Sequence, residues 1–291
     1  MRLRLCIVVA GCLALSAVQS AEGRPYFEAG AANSSSTVVN AYPPPTQGVR
    51  GWVMVVHGGG WKGVGPATVV QERPQALWLQ SQGWATLNVD YRAGAGSLGD
   101  VLSFYDGLRS RLGRHTPICL WGSSAGGQLA LLLAEMRPHV RCVITEGAPT
   151  DFQSIANQPA SGLYLGDPEQ FFGPRWVAGL ATQAFGLDGL ARYSPVTAAG
   201  RLRARLLLTG SEGDFLIPAA QAKEMVTRGA DAQTLRLARG DLFFTHADVS
   251  TAAMHDYQHA ELKILRYAQH AQKSGPVRAR LNHSPLGHKA H

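Results

Sequence analysis

Short apolar runs alternate with stretches of helical periodicity along most of this chain. The runs cover 52–56, 84–89, 117–121, 141–145, 204–209 and 234–238, and helical patterns lie between them near 68–82, 98–112, 126–136, 218–229 and 252–271. Short runs that are apolar throughout are typical of strands buried on both faces. Their regular alternation with helices predicts an α/β fold, with a mostly parallel central sheet and helices on both of its faces.

Two glycine-rich segments directly follow apolar runs. One is His57-Gly58-Gly59-Gly60-Trp61, and the other is Gly122-Ser123-Ser124-Ala125-Gly126, which opens a helical stretch. In parallel sheets, active sites form from loops at the carboxyl ends of strands. A tight turn between strand and helix leaves Ser124 exposed, and the helix amides face any oxyanion beside it. Together the two segments predict an acyl hydrolase with Ser124 as the nucleophile. Ser123 does not suit this role because it is not central between the two glycines of the turn.

A serine nucleophile needs a positioned base, and that base needs an orienting carboxylate. Asp214 follows the strand at 204–209, and His246 lies in the loop after the last strand. The order Ser, Asp, His is the order that this architecture uses. Glu212 and Asp151 compete with Asp214 for the role of the acid.

Two further histidines, His255 and His259, follow His246 on a predicted helix. We expect both of them to face solvent, which leaves His246 as the predicted base.

With these motifs the chain resembles the α/β-hydrolase superfamily from about Trp52 to Tyr267. Within it, the chain is similar to carboxylesterases with a His-Gly-Gly-Gly motif, including feruloyl-esterase-like and hormone-sensitive-lipase-like members. The resemblance rests on the two glycine-rich segments, and also on Asp90-Tyr91-Arg92, Ser194-Pro195-Val196, Gly210–Asp214 and His246.

The resemblance implies a role for each matching residue. Ser124 would attack, His246 would act as base and then acid, and Asp214 would orient His246. The backbone amides of Gly59, Gly60 and Ala125 would form the oxyanion hole. His57 would anchor its loop through hydrogen bonds, and Asp90 and Arg92 would brace loops. The chain departs from the family at Thr245 and Ala247, which flank His246 where a glycine is usually close by.

The predicted organisation divides the chain into a leader, an arm, a catalytic domain and a tail. Residues 1–20 have the charge, apolar stretch and cleavage site of a signal peptide. Residues 21–51 form an irregular arm with at most one short strand around Ser36 to Ala41, 52–272 the catalytic domain, and 273–291 a basic, flexible tail.

The long interval at about 152–192 predicts a cap, because an insertion of this length in a compact domain is usually functional. Trp61, Phe171, Phe172 and Trp176 are the candidate substrate-binding residues. Alternatively, the aromatic residues of the interval only pack on the sheet.

Composition limits the partners of this chain. The net charge is +7, and removing residues 1–20 with Arg2 and Arg4 leaves +5. The arginines are scattered without the interleaved aromatic residues that nucleic-acid binders show, so no nucleic-acid partner is expected. No apolar run after the N-terminus reaches the roughly 20 residues that a membrane span needs. We predict export to the periplasm or the medium, with lipidation at Cys12 as an alternative.

Cys119 and Cys142 lie in adjacent predicted strands, where we expect free buried thiols. A disulfide is the alternative, since an oxidising compartment would permit one. The sequence contains no metal-binding cluster and no nucleotide fingerprint, and the predicted chemistry needs no cofactor.

The sequence therefore predicts a secreted serine carboxylic ester hydrolase that acts on a small-molecule or polysaccharide-linked ester through an acyl-enzyme. A serine peptidase of the prolyl-oligopeptidase type shares the fold and triad, but such enzymes commonly carry a propeller domain, for which we expect no room here. A non-catalytic, esterase-like binding protein is a third alternative, although such proteins typically lose a triad member and none is missing here.

Overall fold

The protein is described by a computed structural model that covers residues 39–42, 48–62, 71–159, 163–164, 171–237 and 251–270. The strands are β1 (Val39–Tyr42), β2 (Trp52–Val56), β3 (Ala85–Val89), β4 (Ile118–Ser123), β5 (Cys142–Glu146), β6 (Leu163–Tyr164), β7 (Phe171–Phe172), β8 (Arg205–Ser211) and β9 (Ala232–Leu237). Seven of them form one sheet in the order β1-β3-β2-β4-β5-β8-β9. Among the described strands of this sheet, only β1 and β3 pair in the antiparallel sense. The predicted α/β fold is therefore confirmed.

Helices cover both faces of this sheet. They are α1 (Arg73–Ser81), α2 (Gly96–Leu112), α3 (Ala125–Met136), α4 (Phe152–Ala156), α5 (Pro174–Phe185), α6 (Ala220–Thr227) and α7 (Thr251–His270), and Pro195–Arg201 form a 3-10 helix. Helices α1 and α7 pack on one face through Leu79, Tyr257 and Leu265. Helices α2, α3 and α6 pack on the other through Val101, Leu129 and Met225. Both faces of the central strands are therefore buried, which explains why those strands are mostly apolar.

Two strands extend further at their carboxyl ends than the apolar runs predict. Strand β4 continues to Ser123, which pairs with Glu146, and β8 continues to Ser211, which pairs with Leu237. The ladder continues there because backbone groups pair whatever the side chains are. Polar residues are thus held on rigid strands at the edge of the sheet where the candidate site lies.

The insertion between β5 and β8 contains α4, a short antiparallel β6–β7 pair, α5 and the 3-10 helix. Phe152 of α4 and Phe185 of α5 are buried, and both rings pack edge-on against Trp61, with centroids at 5.4 Å. The insertion therefore packs against the glycine loop that precedes Trp61.

Cys119 and Cys142 form a disulfide, so the expectation of buried thiols is wrong. The two residues are register partners on the neighbouring strands β4 and β5, with Cα atoms 4.6 Å apart. The strand register places the two side chains on the same face of the sheet. The spacing of the two cysteines along the chain does not predict this register or the disulfide.

Among the described residues, no helix has both the length and the apolar character that crossing a bilayer requires. The signal peptide predicted at 1–20, Cys12 and the tail at 273–291 lie outside the described residues.

Candidate active site

Ser124 occupies a sharp turn between β4 and α3. Its backbone has φ 48° and ψ −119°, a conformation that residues with a side chain rarely adopt. Its N–H donates to the carbonyl of Glu146 at 2.7 Å. A Cβ placed on Gly126 would lie 2.1 Å from the carbonyl oxygen of Val56, and one on Gly122 would lie 2.5 Å from the backbone of Gly126. Only glycines at these two positions allow the helix to start so close to β2 and β4.

The glycine loop after β2 has an unusual backbone. Gly59 has φ 99°, Gly60 has φ 64°, and Trp61 itself has φ 58°. A Cβ on Gly60 would come within 2.7 Å of Leu180 of α5, and one on Gly58 would lie 3.3 Å from the Cβ of Ser124. The loop is therefore enclosed between the turn at Ser124 and the insertion, with its backbone close to both.

His57 is fully buried and holds this loop in place. Its Nε2 is 2.9 Å from Oδ1 of Asp90, and its Nδ1 is 2.6 Å from the carbonyl oxygen of Gly58. The Tyr91 ring stacks on the imidazole at 4.1 Å, and its hydroxyl donates to the carbonyls of His57 and Gly58. Both ring nitrogens of His57 thus face oxygen acceptors, which leaves neither of them for proton exchange with Ser124.

Arg92 lies outside the site. Its guanidinium makes an ion pair with Asp100 at the start of α2, at 2.6 Å, and its side chain is 55% exposed. The pair joins the segment after β3 to α2, in line with the predicted bracing role.

Asp214 lies in the turn after β8 and borders the same cavity as Ser124. Its Oδ1 accepts hydrogen bonds from the N–H groups of Leu216 at 2.8 Å and Ile217 at 2.9 Å. A Cβ on Gly147 would lie 3.2 Å from Oδ2, so the second oxygen is next to the end of β5. Burial raises the pKa of Asp214 to about 6, and the two backbone hydrogen bonds oppose that rise.

The two competing acids lie elsewhere. Glu212 forms an ion pair with Arg236 at 2.9 Å on the surface, where both side chains are more than 40% exposed. Asp151 caps the N-terminus of α4 by accepting the N–H of Ser154. Of the three candidate acids, Asp214 alone borders the cavity beside Ser124.

His246 lies outside the described residues, so the structure does not place the predicted base. Strand β9 runs parallel to β8, and the chain therefore leaves both strands at the same edge of the sheet. On α7, His255 and His259 are exposed, as expected.

A cavity of about 530 Å³ opens over Ser124. Its wall contains the glycine loop, Asp214, the start of α1 and one side of α5, to which Trp176, Val177 and Leu180 belong. Of the predicted substrate-binding residues, Trp61 and Trp176 border the cavity, and the side chains of Phe171 and Phe172 lie outside the described residues. The cavity thus joins the predicted nucleophile, the acid and the glycine loop in one space.

Several residues of this region were missed by sequence reasoning. Glu72 and Glu146 are buried at the cavity wall, and Gln128 connects Trp61 to α3. A glutamate at the end of an apolar strand was the one available signal, since a buried carboxyl needs a specific partner or function. Among the described residues, no group of three His, Cys, Asp or Glu side chains could hold a metal ion.

The fold and the comparisons with known proteins define the class: this chain is a serine hydrolase of the α/β-hydrolase superfamily. A sequence model of the prolyl oligopeptidase family matches residues 80–269, well over half of the chain. The chain therefore belongs to the prolyl oligopeptidase family.

Solved structures of several hydrolases share the fold. A monoacylglycerol lipase from Paleococcus ferrophilus has 16% identity and a TM-score of 0.56, over 80% of this chain and 100% of the lipase. Esterase B from Lactobacillus rhamnosis, in an inhibited form, has 15% identity and a TM-score of 0.64, over 81% of this chain and 83% of the esterase. A puromycin-hydrolyzing peptidase from Mycobacterium tuberculosis has 18% identity and a TM-score of 0.60, over 79% of this chain and 37% of the peptidase. At these identities the likeness shows the fold alone.

No curated protein sequence matches the chain significantly. The predicted superfamily is confirmed, whereas the subtype with the His-Gly-Gly-Gly motif stays a prediction. The matching family, prolyl oligopeptidase, is the family of the serine peptidase that the sequence offers as the alternative function.

Proposed function

We propose that this protein hydrolyses carboxylic esters through an acyl-enzyme, with Ser124, His246 and Asp214 as its triad. Ser124 Oγ attacks the carbonyl carbon while His246 takes its proton and Asp214 holds the imidazole in orientation. The tetrahedral intermediate collapses, the C–O bond to the alcohol breaks, and His246 returns the proton to the leaving oxygen. Water then attacks the acyl-enzyme, with His246 as base, and releases the acid and free Ser124.

One observation carries this proposal, namely the position of Ser124. Its strained turn ends β4 and projects into a cavity that also contains Asp214 and the glycine loop. Backbone N–H groups of Gly59, Gly60 and Ala125 are the proposed oxyanion donors. Such a donor contributes roughly 3 kcal/mol to transition-state stabilisation in other hydrolases. Asp214 is the proposed acid because Glu212 and Asp151 are engaged elsewhere.

The residues of helix α5 that border the cavity favour an ester substrate of limited size. Leu180 packs against the glycine loop, and Trp176 and Val177 extend the apolar wall above Ser124. The proposed cap, at about 152–192, therefore supplies the surface for the acyl or alcohol group. This arrangement, together with the triple glycine, supports the carboxylesterase subtype with a His-Gly-Gly-Gly motif.

Peptide bond cleavage is the second candidate function. It is favoured by one observation, the match to the prolyl oligopeptidase family over residues 80–269. The same triad would cleave an amide, with His246 protonating the leaving amine instead of an alcohol.

We also propose that the protein is exported after cleavage behind residue 20. The Cys119–Cys142 disulfide supports this proposal, because disulfides persist in oxidising compartments and are rare in the cytosol. Alkylation of free thiols followed by mass spectrometry, after expression with and without residues 1–20, tests it. We expect modified cysteines only in the form retained in the cytosol. Modified cysteines in the exported form would contradict the proposal.

Hydrolysis of p-nitrophenyl esters of increasing chain length tests the proposed function, with protein lacking residues 1–20. We expect turnover that is greatest for short acyl chains and absent in Ser124→Ala. Aminoacyl p-nitroanilides, assayed in parallel, measure amide cleavage. If the folded protein cleaves the anilides but none of the esters, ester hydrolysis is contradicted and peptide bond cleavage becomes the proposed function.

A further inference from the structure

The edge of the sheet opposite the candidate active site, here called the amino-end edge, is rich in arginine. The cavity lies at the carboxyl ends of the strands, and the amino ends of β2, β4, β5 and β8 are preceded by Arg50, Arg114, Arg141 and Arg203. The N–H of Arg141 donates to the carbonyl of Ile118, and the N–H of Arg205 donates to that of Arg141, so these segments lie side by side. Neighbouring strands are about 5 Å apart, so the four strand starts cover about 15 Å. The fold thus gathers arginines that are scattered along the sequence.

Helices that run back from the active-site edge end at the amino-end edge and add further arginines. Arg109 and Arg111 lie in the last turn of α2, and Arg137 directly follows α3. The guanidinium of Arg109 donates to the carbonyls of Gly113 at 2.9 Å and Thr116 at 2.7 Å, which joins the end of α2 to the segment before β4. Cations near a helix C-terminus stabilise the helix dipole. This role accounts for the arginines at the helix ends but not for those that lead into strands.

The described acidic residues near the amino-end edge are each paired with an arginine. With N···O distances of 2.6–3.1 Å, the ion pairs are Arg137–Asp106, Arg201–Glu135, Arg205–Asp231 and Arg228–Glu224. Within the part of the chain that the structure describes, no carboxylate forms an ion pair with the arginines that lead into the four strands. Of these, Arg50, Arg114 and Arg203 are exposed. The edge therefore carries a positive charge beyond that of its ion pairs.

Large apolar side chains are exposed among these arginines. Between 41% and 49% of the surface is exposed at Val49, Met136, Val226 and Tyr267. Val49 precedes Arg50, Met136 and Val226 lie in the last turns of α3 and α6, and the guanidinium of Arg205 lies 5.2 Å from the ring of Tyr267. Single exposed apolar residues are common on protein surfaces. Here several of them share one edge with arginines that have no described acidic partner.

The combination of positive charge and exposed apolar side chains indicates the kind of partner. Arginine binds phosphate groups through paired N–H donors, and basic residues are attracted to an anionic bilayer surface. Apolar side chains and tyrosine rings enter the interfacial layer of a bilayer. We propose that the amino-end edge binds the surface of a membrane that contains anionic phospholipids. A soluble polyanion would neutralise the arginines but would offer the apolar side chains no apolar layer.

This orientation has a consequence for the substrate, which rests on the proposed function. The candidate active site lies at the carboxyl ends of the strands, opposite the edge that contacts the membrane. The bound protein therefore takes its ester from solution and not from the lipids of the bilayer that holds it.

Cosedimentation with lipid vesicles tests the proposal, with protein lacking residues 1–20 because an apolar leader would itself bind lipid. All described elements lie between residues 39 and 270, so this form keeps them. The vesicles contain either phosphatidylcholine alone or equal parts of phosphatidylcholine and phosphatidylglycerol. We expect binding to the anionic vesicles to be about tenfold tighter or more, and to weaken as salt is added.

Two double variants that remove the same charge locate the contact. Arg114→Gln with Arg203→Gln should weaken binding to anionic vesicles about twenty-five-fold, at about fivefold for each arginine. Arg192→Gln with Arg236→Gln is the matched control and should bind like the wild type. Arg236 lies near the carboxyl end of β9, and the chain next to Arg192 is hydrogen-bonded to Gln128 in the first turn of α3. The tail at 273–291 is the same in every form compared, and all variants should keep the wild-type rate of p-nitrophenyl butyrate hydrolysis.

The apolar part of the surface has its own test. Met136→Ser with Val226→Ser leaves the charge unchanged and should weaken binding to anionic vesicles several-fold, because these side chains no longer enter the interfacial layer. Binding of the same variant to immobilised heparin, a soluble polyanion, should not change.

Equal binding to the two kinds of vesicle, or equal losses in the two arginine double variants, would overturn the membrane contact. Binding to heparin without binding to vesicles would assign the edge to an acidic polysaccharide and would also overturn it. These outcomes do not depend on hydrolysis. A protein that binds anionic vesicles as expected but has no Ser124-dependent turnover would support the membrane contact and contradict only the proposed function.

Discussion

The indole N–H of Trp61 donates to Oε1 of Gln128 over 2.9 Å, and this bond joins the glycine loop to the helix that follows Ser124. Both residues are buried, and the amide nitrogen of Gln128 donates in turn to the carbonyl of Tyr193 at 2.6 Å. One side chain thus ties together the proposed oxyanion loop, the nucleophile helix and the chain at the end of the insertion.

Replacing Gln128 by methionine, which has a similar shape but no acceptor, should leave the indole N–H unpaired. An unpaired buried donor costs about 1–3 kcal/mol of stability. We expect kcat for p-nitrophenyl butyrate to fall about tenfold with a smaller change in KM, because the loop amides act on the transition state. The double-mutant cycle with Trp61→Phe isolates the bond, and the second substitution should add little to the first. Additive losses would show that the two side chains act independently.

The backbone of Ser124 predicts a difference between two inactive variants. Ser124→Ala and Ser124→Gly both lose the nucleophile, but only glycine adopts φ 48° and ψ −119° without steric cost. We expect Ser124→Gly to have a free energy of unfolding about 1 kcal/mol above that of Ser124→Ala. Urea denaturation followed by circular dichroism measures the difference. If the alanine variant is as stable, the turn stores no strain.

Asp214 and Glu212 lie two residues apart in the chain, so a substitution at Glu212 is a close control for one at Asp214. Asp214→Asn should lower kcat by about 10⁴-fold, because an amide does not hold the imidazole in the productive tautomer. Glu212→Gln breaks only an exposed ion pair with Arg236 and should change kcat less than twofold. Steady-state kinetics with p-nitrophenyl butyrate checks both. A large loss in the Glu212 variant with little loss in the Asp214 variant would reverse the assignment.

Glu261 predicts how stability depends on pH. It is fully buried on α7, where Gln75 donates to it and where Tyr257, Trp121 and Glu146 face it. Burial raises its pKa from 4.5 to about 8. A raised pKa means that the folded state binds the proton of Glu261 more tightly than the unfolded state does. This proton binding stabilises the folded protein fully below pH 4.5, and the stabilisation is lost as the pH rises through 8.

Glu261→Gln should therefore melt close to the wild-type temperature at pH 5 and several degrees above it at pH 9. Calorimetry at the two pH values measures this shift. Glu224→Gln, at an exposed pair with Arg228, is the control and should show the same difference from wild type at both. A Glu261→Gln variant that gains nothing at pH 9 would show that the carboxyl group ionises without cost.

Local patterns predicted most of the sheet and the sharp turn at Ser124, the predicted nucleophile. The run that ends at Trp121, followed by small residues and a helical stretch, predicted the turn at Ser124 because backbone sterics act over a few residues. Asp214 was predicted by its place after a strand. Its preference over Glu212 is supported by contacts that sequence context does not show, since Glu212 pairs with Arg236 on the surface and Asp214 borders the cavity.

The sequence by itself determined the α/β fold, the turn at Ser124 and the glycine loop, because periodicity and glycine content express constraints on neighbouring residues. Only the tertiary structure decided that Cys119 faces Cys142, that Gln128 holds Trp61, and that Glu72 and Glu146 share one cavity wall. The cysteines are 23 residues apart along the chain, and Trp61 and Gln128 are 67 apart. Contacts over such separations depend on strand register and helix packing. Neither of these follows from local sequence, because both depend on how distant segments bury their apolar faces together.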